Sequence, residues 1–346
     1  MKVSNFKSQF QIISAMFFLV LLTSCEAQNT SEKINGISLV ASREKISAND
    51  IQPIKKVNAN TVALMPFGFM ESLNSPKLYF NLERQWWGER EEGIKESIEL
   101  MRKDSLEVML KPQIWIRNGE FTGDVKMNSE ADWVSFEEQY EEFILLYTKI
   151  AESEKVEILC IGTELYEFVN ARPDFWNKLI ADLRKVYSGK LTYAENWDKM
   201  DKVEFWAALD YVGVDAYFPL NVERSPKIEE LRKGWEPYKN SLKIISETSG
   251  KPILFTEYGY RNIDFAAKTP WDSSRELKDT NNKLQADALE ALYQEFWQED
   301  WFAGGFLWKW HHNHAVAGGD KDTQFTPQNK PAEQVVKNYY GRVFTN

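Results

Sequence analysis

The chain has 346 residues, enough for one large domain or two small ones. Hydrophobic residues make up 43% and charged residues 27%, which is typical of a soluble globular protein. The formal net charge of -10 argues against nucleic acid as a partner, because an acidic chain repels polyanions.

The first residues are typical of an export signal. Lys2 and Lys7 precede an apolar stretch from Ile12 to Leu22, which is too short to span a membrane as a helix. This stretch ends in Leu22-Thr23-Ser24-Cys25, which resembles the lipobox of bacterial lipoproteins. In such a motif the cysteine thiol receives the lipid. An ordinary signal peptide with a chance cysteine is the alternative.

We therefore predict a lipoprotein signal peptide at residues 1–24, a lipid on Cys25, and a polar tether at residues 25–33. The protein is then exported and anchored to the periplasmic or cell-surface side of a bacterial membrane. Cys160 is the only other cysteine, so no disulfide is expected. Stability must come from the core.

Short apolar segments alternate with amphipathic ones from Ile34 to the end of the chain. Several of the apolar segments are continuous runs, as expected for parallel strands that are covered on both faces. The eight predicted strands are Ile34–Val40, Thr61–Phe67, Leu106–Leu110, Val156–Gly162, Lys190–Ala194, Tyr211–Tyr217, Pro252–Glu257 and Ala303–Trp308.

Helical periodicity lies between the predicted strands. The third predicted helix carries one apolar stripe, and Pro331 to Tyr340 is expected to form a closing helix. The members of the stripe are Phe136, Tyr140, Phe143, Tyr147 and Ile150. Eight repeats of strand and helix predict a single (β/α)8 TIM barrel over residues 34–346. The alternative is a doubly wound open sheet, but the Gly-rich phosphate loops common in such folds are absent from the sequence.

Two of the predicted strands have a glutamate at their end or just after it. Glu164 follows the fourth strand and Glu257 ends the seventh. In a TIM barrel the active site lies at these strand ends, and strands four and seven face each other across the mouth. Two carboxylates that flank a cleft are what glycosidic hydrolysis needs. The sequence therefore predicts that Glu164 and Glu257 are catalytic; a structural ion pair is the alternative for either.

Five short motifs in chain order resemble glycoside hydrolases of clan A, and most closely glycoside hydrolase family 113. The motifs are Leu110-Lys111-Pro112, Ile161-Gly162-Thr163-Glu164-Leu165, Tyr193-Ala194-Glu195-Asn196-Trp197, Val212-Gly213-Val214-Asp215-Ala216-Tyr217 and Phe255-Thr256-Glu257-Tyr258-Gly259. The resemblance extends over nearly the whole mature chain. It implies a retaining double displacement on β-1,4-mannans, with Glu164 as acid/base and Glu257 as nucleophile, and no cofactor.

The chain departs from the wider clan at one position. An Asn commonly precedes the acid/base there and holds the sugar 2-hydroxyl, but this chain has Thr163. Asn196 is the other candidate for that contact. Tyr217 is expected to hydrogen-bond the nucleophile, and Lys111 either to bind a sugar hydroxyl or to tune a carboxylate. Packing or an ion pair is the alternative for both.

Tryptophans are unusually frequent, with 13 in the chain. Flat aromatic faces stack on the apolar faces of sugars, although Trp also fills cores. Trp308 and Trp310 end the eighth predicted strand, and one of them, preferably Trp308, is expected under the cleaved sugar. Further candidates for outer subsites on the loops are Trp86, Trp87, Trp115 and Trp197.

Three histidines cluster in one loop as His311, His312 and His314. Their spacing does not give the one-face arrangement of a helical zinc pair, so no metal is expected. The sequence has only these three histidines. The general base of a Ser-His-Asp hydrolase would have to come from this one loop, which argues against such an enzyme. Asp215 is interpreted as a residue of the barrel interior, and the role of Glu195 stays open.

Three hypotheses for function remain. The first is a retaining endo-β-1,4-mannanase. The second is a hydrolase of another β-linked glycan or an exo-acting β-mannosidase. The third is a surface glycan-binding lipoprotein on an inactive barrel, which has no need of both glutamates. Each has a β-linked polysaccharide or oligosaccharide as its partner.

We predict that Cys25→Ala releases the protein from the membrane fraction of the cells that express it, because the lipid has no other attachment point. Cys160→Ala, which leaves the lipobox intact, is the matched control and should stay in the membrane fraction. Fractionation followed by immunoblotting measures both. A Cys25→Ala protein that stays with the membranes contradicts the lipoprotein hypothesis.

Overall fold

The computed structural model describes residues 33–274 and 279–342, so the predicted signal peptide and Cys25 lie outside the described residues. The strands are β1 (Ile34–Leu39), β2 (Thr61–Leu64), β3 (Phe67–Met70), β4 (Glu107–Leu110), β5 (Gln113–Ile116), β6 (Ile158–Thr163), β7 (Lys190–Asn196), β8 (Val212–Asp215), β9 (Ile253–Tyr258) and β10 (Phe302–Trp310). The helices are α1 (Ala48–Lys56), α2 (Glu91–Lys103), α3 (Glu130–Ser153), α4 (Tyr166–Ala171), α5 (Pro173–Val186), α6 (Ile228–Ser249), α7 (Asn282–Phe296) and α8 (Pro331–Tyr340).

Eight of the strands form a closed parallel barrel. Around the barrel the order is β1, β2, β4, β6, β7, β8, β9 and β10, and β10 pairs with β1 to complete the circle. This closure confirms the predicted TIM barrel and excludes the open sheet. All described residues belong to one compact unit. No described helix is long and apolar enough to cross a lipid bilayer.

The second predicted strand is wrong at its end, because Phe67 does not continue β2. It opens β3, which pairs in parallel with β5 as a two-stranded ribbon separate from the barrel. A proline precedes each ribbon strand, Pro66 before β3 and Pro112 before β5. Proline has no N–H to donate to a ladder, which explains why both barrel strands stop at this level.

The third predicted helix is confirmed as α3. Ser129 caps it by accepting a hydrogen bond from the Asp132 amide at 3.2 Å. All five side chains of the predicted stripe, from Phe136 to Ile150, are at most 2% exposed. The closing helix α8 spans the predicted residues. The short helix α4, which begins two residues after Glu164, was not predicted.

Apolar side chains pack in two separate clusters. The large one lies between the strands and the surrounding helices. The small one takes one or two side chains from each of six strands and fills the barrel interior: Ala63, Met109, Ile158, Cys160, Ala194, Leu254 and Phe306. Gly36 makes room for the Phe306 ring, because a Cβ at Gly36 would lie 2.4 Å from it. The barrel is therefore a packed support for its mouth.

Candidate active site

A cavity of about 620 Å³ opens at the C-terminal ends of the barrel strands. Glu164, after β6, and Glu257, on β9, both line it. These strands lie three positions apart around the barrel, separated by β7 and β8. Closure of the barrel thus brings two glutamates 93 residues apart in the chain to one cavity.

Backbone geometry sets the direction of Glu164. Its φ is 50°, in the left-handed region that non-glycine residues seldom occupy. Its amide donates to the Ala194 carbonyl at 2.8 Å, and the next amide, of Leu165, donates to the Tyr193 hydroxyl at 2.8 Å. Tyr193 in turn donates to Glu195 at 3.1 Å. The turn that carries Glu164 is therefore fixed to β7.

Glu257 accepts hydrogen bonds from three side chains. Lys111 Nζ at 2.5 Å and Gln113 Nε2 at 2.9 Å both donate to Oε1. The Tyr217 hydroxyl donates to Oε2 at 2.9 Å. All three partners are donors, and the Glu257 residue is only 7% exposed. This environment suits a carboxylate anion whose oxygens are held at fixed positions.

Lys111 is fully buried below the cavity and contacts two carboxyls. Besides Glu257, its Nζ donates to Asp215 Oδ1 at 3.1 Å. Burial by itself would lower the pKa of Lys111, but the charges of Asp215 and Glu257 outweigh burial and raise it. Burial, followed by repulsion from Glu257, raises the pKa of Asp215 to about 7. Lys111 is thus the counter-charge for both acids.

Glu164 has a different environment. The cavity wall removes water from its carboxyl, and the negative charges of Asp215 and Glu257 act in the same direction. Together they raise the pKa of Glu164 well above its usual range. One wall of the cavity therefore favours a protonated acid, while the other presents three donors to a carboxylate.

Aromatic side chains and one amide complete the cavity. Trp197 stacks on Trp271 with ring centroids 5.8 Å apart, and Trp115 and Trp308 also line the space. Asn196 lies beside them; among the described residues its buried Oδ1 has no hydrogen-bond partner. A sugar hydroxyl is a suitable donor for that oxygen.

Two predicted site residues lie away from the cavity surface. Trp310 is fully buried, whereas Trp308 lines the cavity. The register between β1 and β10 shifts between Leu307 and Trp310, which sends the two indoles to different sides. Lys111 has no exposed surface for a sugar hydroxyl, so its contacts are with carboxyls.

The histidine loop also lies outside the cavity. His314 bonds Glu333 at 2.7 Å, and burial lowers the pKa of His311 to about 4. Within residues 33–274 and 279–342, no three His, Cys, Asp or Glu side chains are grouped so as to hold a metal ion.

Sequence analysis missed Gln113, Trp271 and Phe325 as cavity residues. Gln113 had one available signal, since it follows Lys111-Pro112 at the end of a barrel strand. Trp271 and Phe325 lie on long connections after β9 and β10, where the sequence shows no periodicity that fixes a direction. Glu195, whose role was open, is fully buried, and its Oε1 accepts a hydrogen bond from the backbone N–H of Asn196 at 2.8 Å.

Comparisons with known proteins give one family match and several matches of fold. The model of Glycoside Hydrolase Family 113 matches residues 41–330. A solved GH113 β-1,4-mannanase aligns with this chain at 23% identity and a TM-score of 0.77. The alignment covers 90% of this chain and 100% of the mannanase chain. A GH113 β-mannanase from Alicyclobacillus acidocaldarius, solved in complex with ManMIm, shares 24% identity and a TM-score of 0.77, with 89% and 97% covered.

A more distant structural match is a β-glucuronidase from Ruminococcus gnavus. It shares 12% identity and a TM-score of 0.58, covering 89% of this chain and 50% of its own. At these identities the solved structures show a common fold. A comparison with curated protein sequences found no match.

We predict that Lys111→Met lowers the free energy of unfolding by about 3–5 kcal/mol at pH 8, because two buried carboxylates lose their cation. The loss should be smaller at pH 5. Asp215, with a pKa near 7, is then protonated and needs no counter-charge. Urea denaturation at both pH values measures the difference.

The matched control is Lys103→Met, which breaks a solvent-exposed ion pair with Glu99. Its cost should stay below about 1 kcal/mol at either pH. A Lys111→Met loss that is no larger than the control, or that is equal at pH 5 and pH 8, contradicts the role assigned to Lys111.

Proposed function

The chain belongs to glycoside hydrolase family 113, and from this premise we propose that it hydrolyses β-1,4-linked mannan or manno-oligosaccharides with retention of anomeric configuration. The observation that carries the proposal is the contrast between Glu164 and Glu257 at one cavity. The raised pKa of Glu164 favours its protonated form, while Glu257 faces three donors. A retaining glycosidase needs one carboxyl in each state.

In the first step Glu257 attacks the anomeric carbon of the bound sugar. The glycosidic C–O bond breaks as Glu164 gives its proton to the leaving oxygen, so no free alkoxide is released. The products are a shortened glycan and a glycosyl ester on Glu257. Tyr217, Gln113 and Lys111 keep the attacking carboxylate in place before this step.

In the second step Glu164 acts as a base. Formation of the ester removes the negative charge of Glu257, which is one of the charges that raise the pKa of Glu164. That pKa then falls, and the ionised Glu164 takes a proton from water as the water attacks the anomeric carbon. The ester breaks, Glu257 leaves as a carboxylate, and two inversions give net retention.

The substrate class is proposed from the family and from the lining of the cavity. The two GH113 structures are described as β-mannanases, and each shares less than 25% identity with this chain. Within the cavity, Trp308 and the stacked pair of Trp197 and Trp271 can present aromatic surfaces to a hexose, and Asn196 Oδ1 can accept from a hydroxyl. Endo action is proposed on the same basis. Anchoring of the enzyme outside the cell through Cys25 is proposed from the lipobox-like sequence Leu22-Thr23-Ser24-Cys25.

We predict that Glu257→Ala lowers kcat by roughly a thousandfold or more, because no covalent intermediate can form. Azide should restore activity and give a product of inverted configuration. Glu164→Ala should keep a slow first step on aryl glycosides with activated leaving groups, and azide should restore its turnover with retention. NMR of the released sugar distinguishes the two.

Glu167→Ala is the matched control, since Glu167 lies three residues from Glu164 on α4 and outside the cavity. It should keep near-native rates. Near-native rates in both the Glu164 and Glu257 variants, or azide products of the opposite configuration, contradict the assignment of roles.

We predict that β-1,4-mannan and its oligosaccharides are cut faster than β-1,4-glucan or xylan, as the resemblance to family 113 implies. A reducing-sugar assay over this panel, with product sizes followed by chromatography, measures both preference and endo action. Equal or higher rates on glucan or xylan contradict the substrate and leave the mechanism intact. Release of single sugars alone contradicts endo action.

A further inference from the structure

A second cavity lies beside the candidate active site, and none of its lining residues takes part in the two proposed steps. It contains two of the tryptophans predicted for outer subsites, Trp86 and Trp115. We call it the distal cavity. Its volume is about 710 Å³, comparable to the catalytic one, and both are of the size that holds small-molecule ligands. Its walls include Phe69, Tyr79, Trp86 and Trp115.

Trp115 connects the two cavities, because it lines both. The strands β3 and β5 continue this connection. Phe67, which lines the catalytic cavity, is paired with Gln113, the donor to Glu257. Two residues further along, Phe69 of the distal cavity is paired with Trp115. The rings of Phe67 and Phe69 lie 6.4 Å apart with their planes tilted by 41°, so aromatic side chains follow one another from the catalytic cavity outward.

The aromatic walls of the distal cavity are held in place before any ligand binds. The backbone of Tyr79 makes two hydrogen bonds with that of Phe69, at 2.8 and 3.0 Å. Gln85, next to Trp86, donates from Nε2 to the Phe67 carbonyl at 2.9 Å. Both walls are therefore attached to β3. A preformed site loses less conformational freedom on binding than a mobile one.

The aromatic rings keep much of their surface in contact with water. Trp115 is 52% exposed, Trp86 40% and Tyr79 36%. Large aromatics at such exposure within one concavity mark a binding surface rather than a core. Trp86 and Trp87 each have a cation over the ring, the Arg43 guanidinium at 4.9 Å and the Lys45 ammonium at 4.5 Å. Only Trp86 of the two lines the distal cavity.

Charge in the distal cavity indicates a neutral ligand. Arg84 and Arg117 contribute two positive groups, and Glu71 and Glu89 two carboxyls, so the formal charges balance. Such a surface has no net attraction for an anionic polymer. It offers donors and acceptors to hydroxyls beside flat apolar rings, which matches the two kinds of surface on a neutral sugar.

We propose that the distal cavity is a second glycan-binding site, which holds a neutral β-linked polysaccharide several sugars away from the bond that is cleaved. The same chain passes from the catalytic cavity over Trp115 to stack on Trp86 and Tyr79. This inference rests on the proposed function for the identity of the polymer. It adds that affinity depends on chain length beyond the catalytic cavity.

Native gel electrophoresis in gels that contain soluble galactomannan, glucomannan or xyloglucan tests binding without relying on turnover. Glu257→Gln serves as the parent protein so that the gel polymer stays intact. Adding Trp86→Ala or Tyr79→Ala should raise the dissociation constant obtained from the retardation about tenfold. This is the size of effect expected for a central aromatic contact. Trp86→Phe should restore part of it. Thermal unfolding of each variant shows whether the fold is kept.

Phe265→Ala is the matched control, because Phe265 is 45% exposed but lines neither cavity. It should be retarded like the parent. In the active protein, Trp86→Ala should lower the ratio of kcat/KM on polymer to kcat/KM on a short aryl glycoside about tenfold.

Equal retardation of parent and Trp86→Ala, or no retardation of the parent by any of the polymers, overturns the distal site. An unchanged ratio of kcat/KM overturns it as well. Retardation that depends on Trp86, in a wild-type protein that cleaves none of these polymers, supports the distal site and contradicts the proposed function. The two failures are therefore distinguishable.

Discussion

The arrangement of the site depends on one buried ammonium group. Lys111 Nζ lies between Asp215 and Glu257, which come from neighbouring barrel strands. A fully buried lysine is costly unless it is paired, and two buried carboxyls need a cation for the same reason. Each of these three charged groups thus offsets the free-energy cost of burying the others below the barrel mouth. One cation for two carboxyls leaves an excess of negative charge next to Glu164, and this excess helps to keep its proton.

The two glutamates are held in position in different ways. Glu257 is held by its side-chain partners, whereas Glu164 is held by its backbone, through the left-handed turn attached to Tyr193. Tyr193 in turn bonds Glu195, whose pKa burial raises to about 7. The backbone constraint leaves the carboxyl of Glu164 free to give and take a proton while its position is kept.

The ribbon of β3 and β5 extends this site beyond the barrel. Barrel strands end where Pro66 and Pro112 remove a donor, and the chain resumes as a second parallel pair just above. The ribbon gives Gln113 to the nucleophile and Trp115 to both cavities. Two proline positions thus convert part of a barrel wall into a surface that runs outward from the catalytic carboxylate.

The sequence by itself determined the barrel and the two glutamates, because strand–helix alternation and a carboxylate at an apolar strand end are local patterns. Tertiary structure alone decided which surfaces are free. A register shift in β10 buried Trp310 and left Trp308 in the cavity. Lys111 contacts Glu257, which lies 146 positions further along the chain. The distal cavity likewise brings together residues that are distant in sequence. Such contacts arise from barrel closure, and local sequence patterns do not predict them.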